Sequence, residues 1–517
     1  EAGLHPTVLE RGHAVGGLWA LGEARADGAV YPGLVTNLPK ELMAFHDFPF
    51  DCSLPSFVRA RDVARYLQAY ALKHSLEKFI QFGKTVTCIE PICLAPKSPD
   101  PSIERLLNSK ETEPKKNAPP FNPVFRLGVD RWRVSWQDEW SGATECADFD
   151  AVVCASGHYE QVPQIATRAV LQLGSGGEGG QSPAYKTAAP FAGKRVVVVG
   201  ARASGTDIAR EILNVAAAVT VADPSCTALE RVDTGAADTG ADTGADTRAA
   251  GTANTASSGE LWRAPALVRL EAGRAVFCPR KIRRSGAAPA TEGVAGCSEE
   301  SVACDALVLC TGYAYSFPFL RAETFSNIGG LVAARGKVSP LHLHLFHAGA
   351  PGLSFVGLPH SVVPFPLMDA QATLVARVLA DDARAATALP PREEREVQIA
   401  LPDPLRRRGG VSIGYVRELA RLGGFSDAWL ELRLKLAQTL YNDVSAHRPN
   451  KPGSPDAYRR AQYELYITDV PPAQALLAAG EHSSETDVRL GTDALGACDA
   501  PERARVRRAD GSEEELP

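Results

Sequence analysis

The first pattern that could do chemistry is a short turn between an apolar run and an amphipathic run. Four valines precede Gly200, and the six residues GARASG run from there to Gly205. A strand, a tight glycine turn and a helix bind dinucleotide phosphates, because free backbone N–H groups and the helix dipole face the anion. Arg202 stands where the middle glycine is expected, so a purely structural turn between a strand and its helix is the alternative.

The residues that follow the turn favour a nucleotide site. A helix is predicted to begin at Ser204 and to carry Asp207, and the next strand, VTVAD, ends at Asp223. An acid at that strand end contacts the adenosine ribose and disfavours a 2′-phosphate, which argues mildly for NADH over NADPH. The sequence Asp-Pro-Ser is equally typical of an ordinary turn at a strand end.

Composition and charge exclude several other kinds of protein. The chain has 517 residues, of which 45% are hydrophobic and 22% charged, with a net charge of −6. This length predicts about three domains. The charge balance lacks the basic footprint of a nucleic-acid-binding protein, and no apolar run reaches the ~18 residues of a membrane span. We therefore expect no nucleic-acid partner, no integral membrane segment and a cytoplasmic location.

The cysteines give no sign of a metal site. None of the eleven belongs to a CxxC pair or to a Cys/His cluster with zinc spacing. An odd and scattered set is typical of reduced thiols in a reducing compartment. We predict no bound metal, and the sequence makes no prediction of the oligomeric state.

Hydrophobic periodicity predicts the elements that must hold the turn. Strands are predicted at 4–10, 131–136 and 149–155, and an amphipathic helix at 58–79. Loops or insertions are predicted at 97–123, at the glycine run 174–180 and at the Asp-Thr-Gly-Ala repeats of 233–259, which we expect to be disordered. The C-terminal third is predicted to be helical to about residue 470, with a frayed polar tail after about residue 480.

Six segments, taken together and in this order, resemble the flavin-containing monooxygenases. They are VLERGHAVGGLW, YPGLVTNLPKELMAFHDFPF, VVCASGHY, VVVVGARASGTDIA, CDALVLCTGYAYSFPFL and GLPHSVVPFPLMDAQA. The match spans roughly residues 4 to 450. Its joint occurrence is far more specific than any single motif.

The resemblance implies an α/β fold with two Rossmann-like dinucleotide-binding domains, the NADP domain being inserted in the FAD domain. It implies the following bounds: 1–159, the first part of the FAD domain; 160–312, the NADP domain with its insertion 233–259; 313–470, the completing part with a helical region; and 471–517, a polar tail. The family's first strand and FAD GxGxxG turn are absent from this sequence. We therefore expect an N-terminally truncated chain that binds FAD poorly.

The same resemblance implies an oxidoreductase that uses FAD, NADPH and O2. In this family NADPH reduces the flavin, which forms a C4a-hydroperoxide, and an amine nitrogen or thioether sulfur of a small molecule takes the distal oxygen. The cofactor supplies the difficult chemistry and the protein positions it and excludes water. This is an N,N-dimethylaniline monooxygenase type of activity.

The resemblance also implies the site residues. Glu10 is expected to bind the FAD ribose, Leu18 and Trp19 to line the flavin site, and Gln371, near a helix start, to approach the flavin ring edge. Gly200, Ser204, Gly205, Thr206 and Asp207 match the NADP turn. The structural alternatives are a solvent-facing acid at the strand end for Glu10, core packing for Leu18 and Trp19, and a purely structural turn for the residues of the NADP turn.

Asn37 matches the active-site asparagine of the family. Its amide can donate and accept hydrogen bonds, so it can hold both a nicotinamide and an oxygen on the flavin. The alternative is an asparagine that caps a turn before Leu-Pro. We interpret Asn37 as the catalytic residue because the TN-PKE context is so specific.

Two further departures from the family leave other functions open. The fingerprint FxGxxxHxxxY, counted back from Tyr185, has Gln181 in place of the histidine, and Arg202 replaces a glycine. We expect Arg202 to weaken NADPH binding. These departures motivate a catalytically idle nucleotide-binding protein as one alternative. A Baeyer–Villiger-type ketone oxygenase, which shares the architecture, is the other, although the missing histidine and the TN-PKE-M stretch weigh against it.

Overall fold

A computed structural model provides the fold. It describes residues 3–20, 30–45, 47–92, 131–159, 178–181, 185–232, 259–271, 273–279, 299–325, 328, 330–334, 337–359, 362–380, 389, 411–425, 428–447, 457–467, 502–507 and 512–516. The insertion predicted at 97–123 and residues 233–258 of the predicted disordered repeat lie outside the described residues.

The structure contains the helices predicted at 58–79 and after the nucleotide turn, and it adds short helices at Lys40–Met43 and Ala322–Phe325 that the sequence did not predict. The α-helices, in chain order, are α1 (Lys40–Met43), α2 (Ala60–Lys73), α3 (Ala203–Leu213), α4 (Ala322–Phe325), α5 (Pro364–Leu379), α6 (Val411–Gly423) and α7 (Ala428–His447). The helix predicted at 58–79 is α2, and it ends at Lys73 before a short 3-10 turn at Leu76–Phe79. Its apolar face buries Val63 and Tyr66.

The strands of the described residues come mostly in runs between these helices. Up to the end of the nucleotide turn they are β1 (Val8–Leu9), β2 (Ile80–Gln81), β3 (Lys84–Ile92), β4 (Arg131–Asp138), β5 (Thr144–Phe149), β6 (Val152–Cys154), β7 (Glu178–Gln181) and β8 (Arg195–Val199). Then come β9 (Ala218–Ala222), β10 (Glu230–Arg231), β11 (Glu260–Ala264), β12 (Ala266–Glu271), β13 (Arg274–Cys278), β14 (Glu300–Ala303) and β15 (Ala306–Leu309). The last are β16 (Val332–Ala334), β17 (Lys337–Ser339), β18 (Leu341–His342), β19 (Phe346–His347), β20 (Leu353–Phe355), β21 (Gln462–Ile467), β22 (Glu502–Arg507) and β23 (Glu513–Leu516).

A six-stranded sheet holds the nucleotide turn. Its strand order is β10-β11-β9-β8-β15-β7, and every pairing except β10 with β11 is parallel. The chain passes from β8 through α3 to β9 on one side, whereas β15 lies on the other side of β8. The strand order therefore reverses between β8 and β15, and open α/β sheets bind their ligands at the carboxyl ends of the strands at such a point.

Alternation along β8 explains why this strand is buried on both faces. Val196 and Val198 pack with Ile208 and Ile212 of α3. Val197 points the other way and packs with Phe277 of β13. Because successive side chains of a strand point to opposite faces, a valine run fits a sheet that is covered on both sides.

The nucleotide sheet is inserted into a second unit of structure. β6, which precedes the sheet in the chain, pairs in parallel with β20, which follows it, through Val152↔Leu353 and Cys154↔Phe355. β20 also pairs with β19, and β19 with β18, in a four-stranded sheet. The chain thus leaves one sheet, builds another and returns, as the predicted fold class requires.

Three sequence predictions about local structure are wrong. The glycine run at 174–180 contributes β7, which pairs with β15 through Leu309↔Gln181. The region predicted to be helical up to residue 470 ends in strand β21. The tail predicted to be frayed contains β22 and β23, which extend β21 into a three-stranded antiparallel sheet. Tyr463 of β21 and Val506 of β22 lie opposite one another and are both buried. They contribute to an apolar face that the polar composition of this tail did not reveal.

Candidate functional site

The glycines of the turn are required by the packing of strand against helix. Gly200 has φ +112, which favours glycine, and a Cβ atom there would lie 2.3 Å from the Cys310 carbonyl oxygen at the end of β15. A Cβ atom at Gly205 would lie 1.7 Å from the Gly200 carbonyl oxygen. The first and last glycines of GARASG therefore let α3 and β15 approach the end of β8 closely, as in a dinucleotide turn.

The N-terminus of α3 faces the carboxyl end of the sheet with free backbone donors. The first bond within the helix runs from the Thr206 N–H to the Arg202 carbonyl oxygen, over 2.9 Å. Helical geometry leaves the N–H groups of Ala203, Ser204 and Gly205 without partners inside the helix. An anion at this position would accept those donors and meet the positive end of the helix dipole.

Arg202 occupies the residue before the helix in an extended conformation. Its φ is −88, which any residue adopts, and its side chain is exposed. The backbone therefore does not demand glycine at this position, unlike at Gly200. The weakening of NADPH binding that we expect from Arg202 stays a prediction.

Thr206 and Asp207 are engaged by the protein itself. The Thr206 hydroxyl donates to the Ala201 carbonyl oxygen at 3.2 Å, which ties the helix back to the turn. The Asp207 carboxylate accepts two hydrogen bonds from Arg459, at 3.2 Å and 2.8 Å. The structure thus gives both residues a role in holding the turn, and direct contact with NADP remains a prediction.

Arg459 also reaches the segment that carries Asn37. Its Nε donates to the Thr36 carbonyl oxygen at 3.1 Å, while its two terminal nitrogens bind Asp207. The same guanidinium therefore connects the residue before Asn37 to the helix of the nucleotide turn. The structure brings these two sequence-predicted site regions together, although 170 positions separate Asn37 from Asp207 in the chain.

A second set of contacts holds the residues before Asn37 against α3. Tyr31 and Tyr185 are buried and meet edge to face, with ring centroids 5.3 Å apart. A Cβ atom at Gly33 would lie 3.3 Å from Oε1 of Glu211. Burial, followed by the charges of Asp207 and Glu211, raises the pKa of the Tyr31 phenol.

The other side of the Asn37 segment is held by a buried polar network. The Lys40 N–H donates to the Ser56 carbonyl oxygen at 2.6 Å, and the Lys40 ammonium pairs with Glu41. The Ser56 N–H in turn donates to Gln462 of β21 at 3.0 Å. The half-buried Asn37 thus lies on a loop that is fixed at both ends, which suits a residue that must hold a reactant in place.

The FAD-side residues lie around the end of β1. Glu10 follows β1 directly, and its Oε1 accepts the Gly12 N–H at 2.6 Å. A carboxylate has further acceptor sites, so this bond still permits a ribose hydroxyl to bind. Leu18 and Trp19 lie in a 3-10 turn at Gly17–Trp19, and Trp19 packs against a buried cluster that includes Tyr66 of α2.

Gln371 does not lie near a helix start. It is the eighth residue of α5, which begins at Pro364, and its side chain is fully buried. Its Oε1 accepts the Gly357 N–H at 2.9 Å, and its Nε2 donates to the Tyr415 hydroxyl at 3.1 Å. The predicted placement was wrong because the helix begins earlier, at the Pro-Phe-Pro sequence of residues 364–366. Contact with a flavin ring stays a prediction.

Asp223 forms the turn that its Asp-Pro-Ser sequence allows. Its Oδ1 accepts the Ser225 N–H at 2.9 Å and the Ser225 hydroxyl at 2.7 Å. Its Oδ2 accepts a hydrogen bond from the buried Arg263 at 2.7 Å. Burial opposes ionisation, but these hydrogen bonds and the guanidinium hold the pKa of Asp223 below its usual value. The ribose contact remains a prediction.

The two predicted connections between the domains meet through their aromatic rings. Tyr159, after β6, contacts Tyr313, after β15, edge to face at 5.3 Å between centroids. The His158 and Tyr315 rings also meet, with their centroids 5.2 Å apart and their planes tilted by 55°. The chain therefore enters and leaves the nucleotide sheet at one place. The exact domain bounds stay a prediction.

Residues of this structure fit a dinucleotide at the turn. The glycines, the helix donors and the strand order satisfy the requirements of a phosphate-binding turn. In addition, the Thr36 hydroxyl next to Asn37 is buried with no hydrogen-bond partner among the described residues. Such an orphan group is costly, and a polar ligand beside Asn37 would satisfy it.

Neither a metal site nor a membrane span is visible in the described part of the chain. No three His, Cys, Asp or Glu side chains there are grouped so as to hold a metal ion. No described helix combines the length and apolar character needed to cross a bilayer.

Arg459 and Arg263 are the site residues that sequence reasoning missed. Neither belongs to a motif, and each acts on a carboxylate far away in the chain, Asp207 and Asp223 respectively. Tyr185 was noticed only as part of the fingerprint region. In a single sequence, no signal marks such long-range partners.

Known proteins resemble this chain in sequence. A model of the flavin-binding monooxygenase-like family matches residues 1–112 and 128–235. Flavin-containing monooxygenase FMO GS-OX2 of Arabidopsis thaliana is 30% identical over 396 residues, which are 72% of this chain and 68% of that protein. FMO GS-OX-like 4 of the same plant is 27% identical over 84% of this chain and 82% of its own length.

Solved structures resemble the fold. S-allyl-L-cysteine S-oxygenase from Allium sativum superposes with a TM-score of 0.60 at 24% identity, covering 92% of this chain and 91% of that one. Tmm from Pelagibacter sp. strain HTCC7211 gives a TM-score of 0.58 at 18% identity, over 90% and 87% of the two chains. At these identities the likeness establishes a shared architecture, and it confirms the predicted fold class.

Proposed function

The chain belongs to the flavin-binding monooxygenase-like family, a family of flavin-dependent oxidoreductases that use FAD and NADPH, and we propose that it oxygenates a soft nucleophilic atom of a small molecule. The atom is an amine nitrogen or a thioether sulfur, and sulfur is favoured. The balance is one substrate, O2, NADPH and a proton giving the oxygenated product, NADP⁺ and water.

One observation carries the proposal beyond family membership. Arg459 joins the Thr36 carbonyl oxygen to the Asp207 carboxylate, so Asn37 lies one residue from a contact with the nucleotide-turn helix. A monooxygenase of this kind needs its nicotinamide donor and its oxygen-stabilising amide in one place. An idle nucleotide-binding protein has no need to hold Asn37 there.

Residues of this chain bind the two cofactors, orient the reactants and shield them from water. The donors at the N-terminus of α3 bind the NADPH pyrophosphate, and Glu10 binds the FAD ribose. FAD, when bound, supplies the redox chemistry that activates O2 with the electrons of NADPH. The Asn37 amide donates to oxygen where negative charge develops, and accepts from the carboxamide of the nicotinamide.

Apolar packing around this loop limits the access of water. Leu38, next to Asn37, packs against a buried cluster that contains Phe57 and Leu440. It also packs against a second cluster with Met43 and Phe365. Excluding water at this loop would favour transfer of oxygen to the substrate over its loss as peroxide if FAD is bound there.

We favour sulfur because one of the similar solved structures is named by its substrate. The Allium sativum structure is named as an S-oxygenase of S-allyl-L-cysteine, a thioether. A divalent sulfur is a soft nucleophile that needs no acid or base to be activated, so a site built from an amide and backbone donors is sufficient for it. Ketone oxygenation, in contrast, requires a peroxide anion that attacks a carbonyl carbon.

The test is a product assay on the full chain supplied with FAD and NADPH. A simple aryl methyl thioether and a cyclic ketone are incubated separately, and sulfoxide, lactone, NADPH and hydrogen peroxide are measured. We expect sulfoxide in proportion to NADPH consumed, and no lactone. Lactone as the main product would establish the Baeyer–Villiger reaction instead, and NADPH oxidation without an oxygenated product would overturn the proposal.

Asn37→Asp probes the proposed catalytic amide, because it keeps the shape and removes the donor. Loss of one such donor typically costs about a hundredfold in kcat, so sulfoxide formation should fall by that factor while hydrogen peroxide rises. The matched control is Asn214→Asp at the exposed C-terminal end of α3. An equal loss in both variants would remove the catalytic role from Asn37.

A further inference from the structure

The guanidinium of Arg459 makes three hydrogen bonds to two separate parts of the molecule. Nε donates to the Thr36 carbonyl oxygen at 3.1 Å, and the terminal nitrogens donate to the two oxygens of Asp207 at 3.2 Å and 2.8 Å. The side chains of Arg459 and Asp207 are only 10% and 18% exposed. A planar fork of donors on a carboxylate is the most directional ion pair in proteins.

The segment that carries Arg459 is itself fixed to the Asn37 side. Gln462 accepts the Ser56 N–H at 3.0 Å, and the Tyr463 N–H donates to the Ser56 hydroxyl at 2.8 Å. Tyr463 is buried, and its hydroxyl donates to Asp443 of α7 at 2.7 Å. The segment that carries Arg459 is therefore fixed in place by these hydrogen bonds. Its guanidinium can in turn fix the positions of Thr36 and Asp207.

On the nucleotide side, Asp207 lies in the first half of α3. The helix begins at Ala203, and Asp207 is its fifth residue, one turn beyond the donors that face the sheet end. Arg210 also approaches Asp207, at 3.5 Å. Asp207 therefore belongs to the same rigid helix as the phosphate-binding N–H groups. A contact that fixes its carboxylate also fixes those groups.

From these contacts we infer that Arg459 is a positioning residue that holds the nucleotide-turn helix in register with the Asn37 loop. It touches neither reactant nor cofactor in this role. It acts through Asp207 and Thr36, so the nicotinamide and the Asn37 amide keep a fixed separation. The inference rests on the proposed function, because it assumes that a nucleotide binds at the turn.

The pair is well suited to this task because it is costly to break. Removing one member of a largely buried ion pair leaves the other charge without this compensation. Removing both members leaves no stranded charge. A double variant is therefore expected to bind nucleotide no more weakly than either single variant, and this non-additive pattern identifies coupling through the pair.

The experiment uses the full chain with Arg459→Gln, Asp207→Asn and the double variant. NADP⁺ is the probe, its dissociation constant is measured by calorimetry, and amide hydrogen exchange is measured without nucleotide. The matched control is Arg417→Gln, which removes an exposed arginine that binds Glu431 at 2.8 Å. It changes the same charge and breaks an ion pair between α6 and α7.

We expect Arg459→Gln and Asp207→Asn each to raise the NADP⁺ dissociation constant about tenfold, a typical coupling between sites. The double variant should bind NADP⁺ no more weakly than either single variant. Exchange should rise at residues 30–38 and 203–213 and stay unchanged elsewhere, with the ratio of hydrogen peroxide to sulfoxide increased. Arg417→Gln should match the wild type in all of these measurements.

Two results would overturn the inference. One is an NADP⁺ affinity unchanged by Arg459→Gln, and the other is faster exchange spread evenly over the chain, which marks a general loss of stability. A wild-type chain that does not bind NADP⁺ would instead refute the proposed function. The exchange measurement, made without nucleotide, would then still show whether Arg459 couples the two segments.

Discussion

Gly200 and Gly205 approach so closely that a Cβ atom on Gly205 would lie 1.7 Å from the Gly200 carbonyl oxygen. No rotation of a side chain relieves such a contact, because the backbone fixes the position of a Cβ atom and the other partner is a backbone oxygen. The first and last glycines of the turn therefore depend on one another, and the close approach of α3 to β8 is impossible with any other residue at position 205.

Gly205→Ala is expected to destabilise the chain by about 2 kcal/mol, in the range of overpacked sites. It should also abolish NADP⁺ binding, since α3 must shift away from the strand ends. Urea unfolding and calorimetry measure the two effects. The matched control is Gly414→Ala in α6, where a Cβ atom meets nothing within 4 Å, and which should stabilise by about 0.5–1 kcal/mol. A Gly205→Ala chain with normal NADP⁺ affinity would show that the turn is structural only.

Arg202→Gly is predicted to tighten NADPH binding, because a side chain stands where the phosphate approaches the backbone. Arg202→Ala separates the two possible causes, since alanine keeps the Cβ atom and removes the guanidinium. If the Cβ atom is the obstacle, glycine tightens binding and alanine leaves it nearly unchanged. If both variants bind NADPH more weakly, the exposed arginine is itself a phosphate ligand. Titration with NADPH at two salt concentrations tests whether the arginine is a phosphate ligand, because salt screens an ionic contact.

Asp223→Asn is expected to raise the preference for NADPH over NADH. In the wild type, Arg263 binds Asp223 at 2.7 Å and Glu230 at 2.8 Å, so the charge of the Asp223 carboxylate is already partly compensated. Removal of the Asp223 charge leaves the guanidinium more positive. The ratio of kcat/KM for the two nucleotides should rise about fivefold, which corresponds to about 1 kcal/mol.

The control for that ratio is Asp305→Asn. Asp305 binds Arg195 at 2.6 Å at the opposite, amino ends of β15 and β8, and this arginine lowers the pKa of Asp305 to about 2. It has the same chemistry but lies away from the predicted ribose. An equal change of nucleotide preference in both variants would mean that net charge, and not the position of Asp223, decides it.

Glu211→Gln should stabilise the chain at pH 7.5, with a benefit that disappears in acid. Burial raises the pKa of Glu211 above its usual 4.5, so the folded state holds this proton to a higher pH than the unfolded state does. Stability is then lost as pH rises from 4.5 through the folded pKa. Glutamine has no such loss. Unfolding free energies in urea at pH 4 and pH 7.5 would measure the difference.

Glu418→Gln is the opposite case and serves as the control. The hydrogen bonds of Arg421 lower the pKa of Glu418, so its ion pair contributes stability above pH 4.5 that is lost as pH falls through the folded pKa. The glutamine variant should therefore be less stable at pH 7.5 and equal to the wild type in acid. If both variants shifted stability in the same direction, burial at Glu211 would not be the cause.

The family and the general architecture could be determined from the sequence. Short motifs such as GARASG and TNLPKE encode backbone geometry that few other residues permit, and their order along the chain encodes the insertion of one domain in another. The comparisons confirmed the family, the enzyme class and the fold. Buried strands were predictable as well, since four valines before a glycine leave little choice of structure.

Local elements with weak patterns could not be predicted. β7 is built from Glu-Gly-Gly-Gln, and it is a strand only because β15 offers it hydrogen-bonding partners. β22, Glu-Arg-Ala-Arg-Val-Arg, reads as a solvated polar tail until β21 pairs with it through Tyr463↔Val506. In both cases the stabilising contacts come from residues far away in the chain, which local propensity does not contain.

The sequence by itself determined the types of residue available at the site, because glycines at fixed spacing and an asparagine in a specific context are local properties. Only the tertiary structure decided how those residues are used. It placed Arg459 between Asp207 and Thr36, gave Asp223 its partner Arg263, and turned Gln371 into a buried hydrogen-bonding link in the core. The physical reason is that an ion pair or a buried amide is satisfied by whichever group the fold brings near, and that proximity is a property of the whole chain.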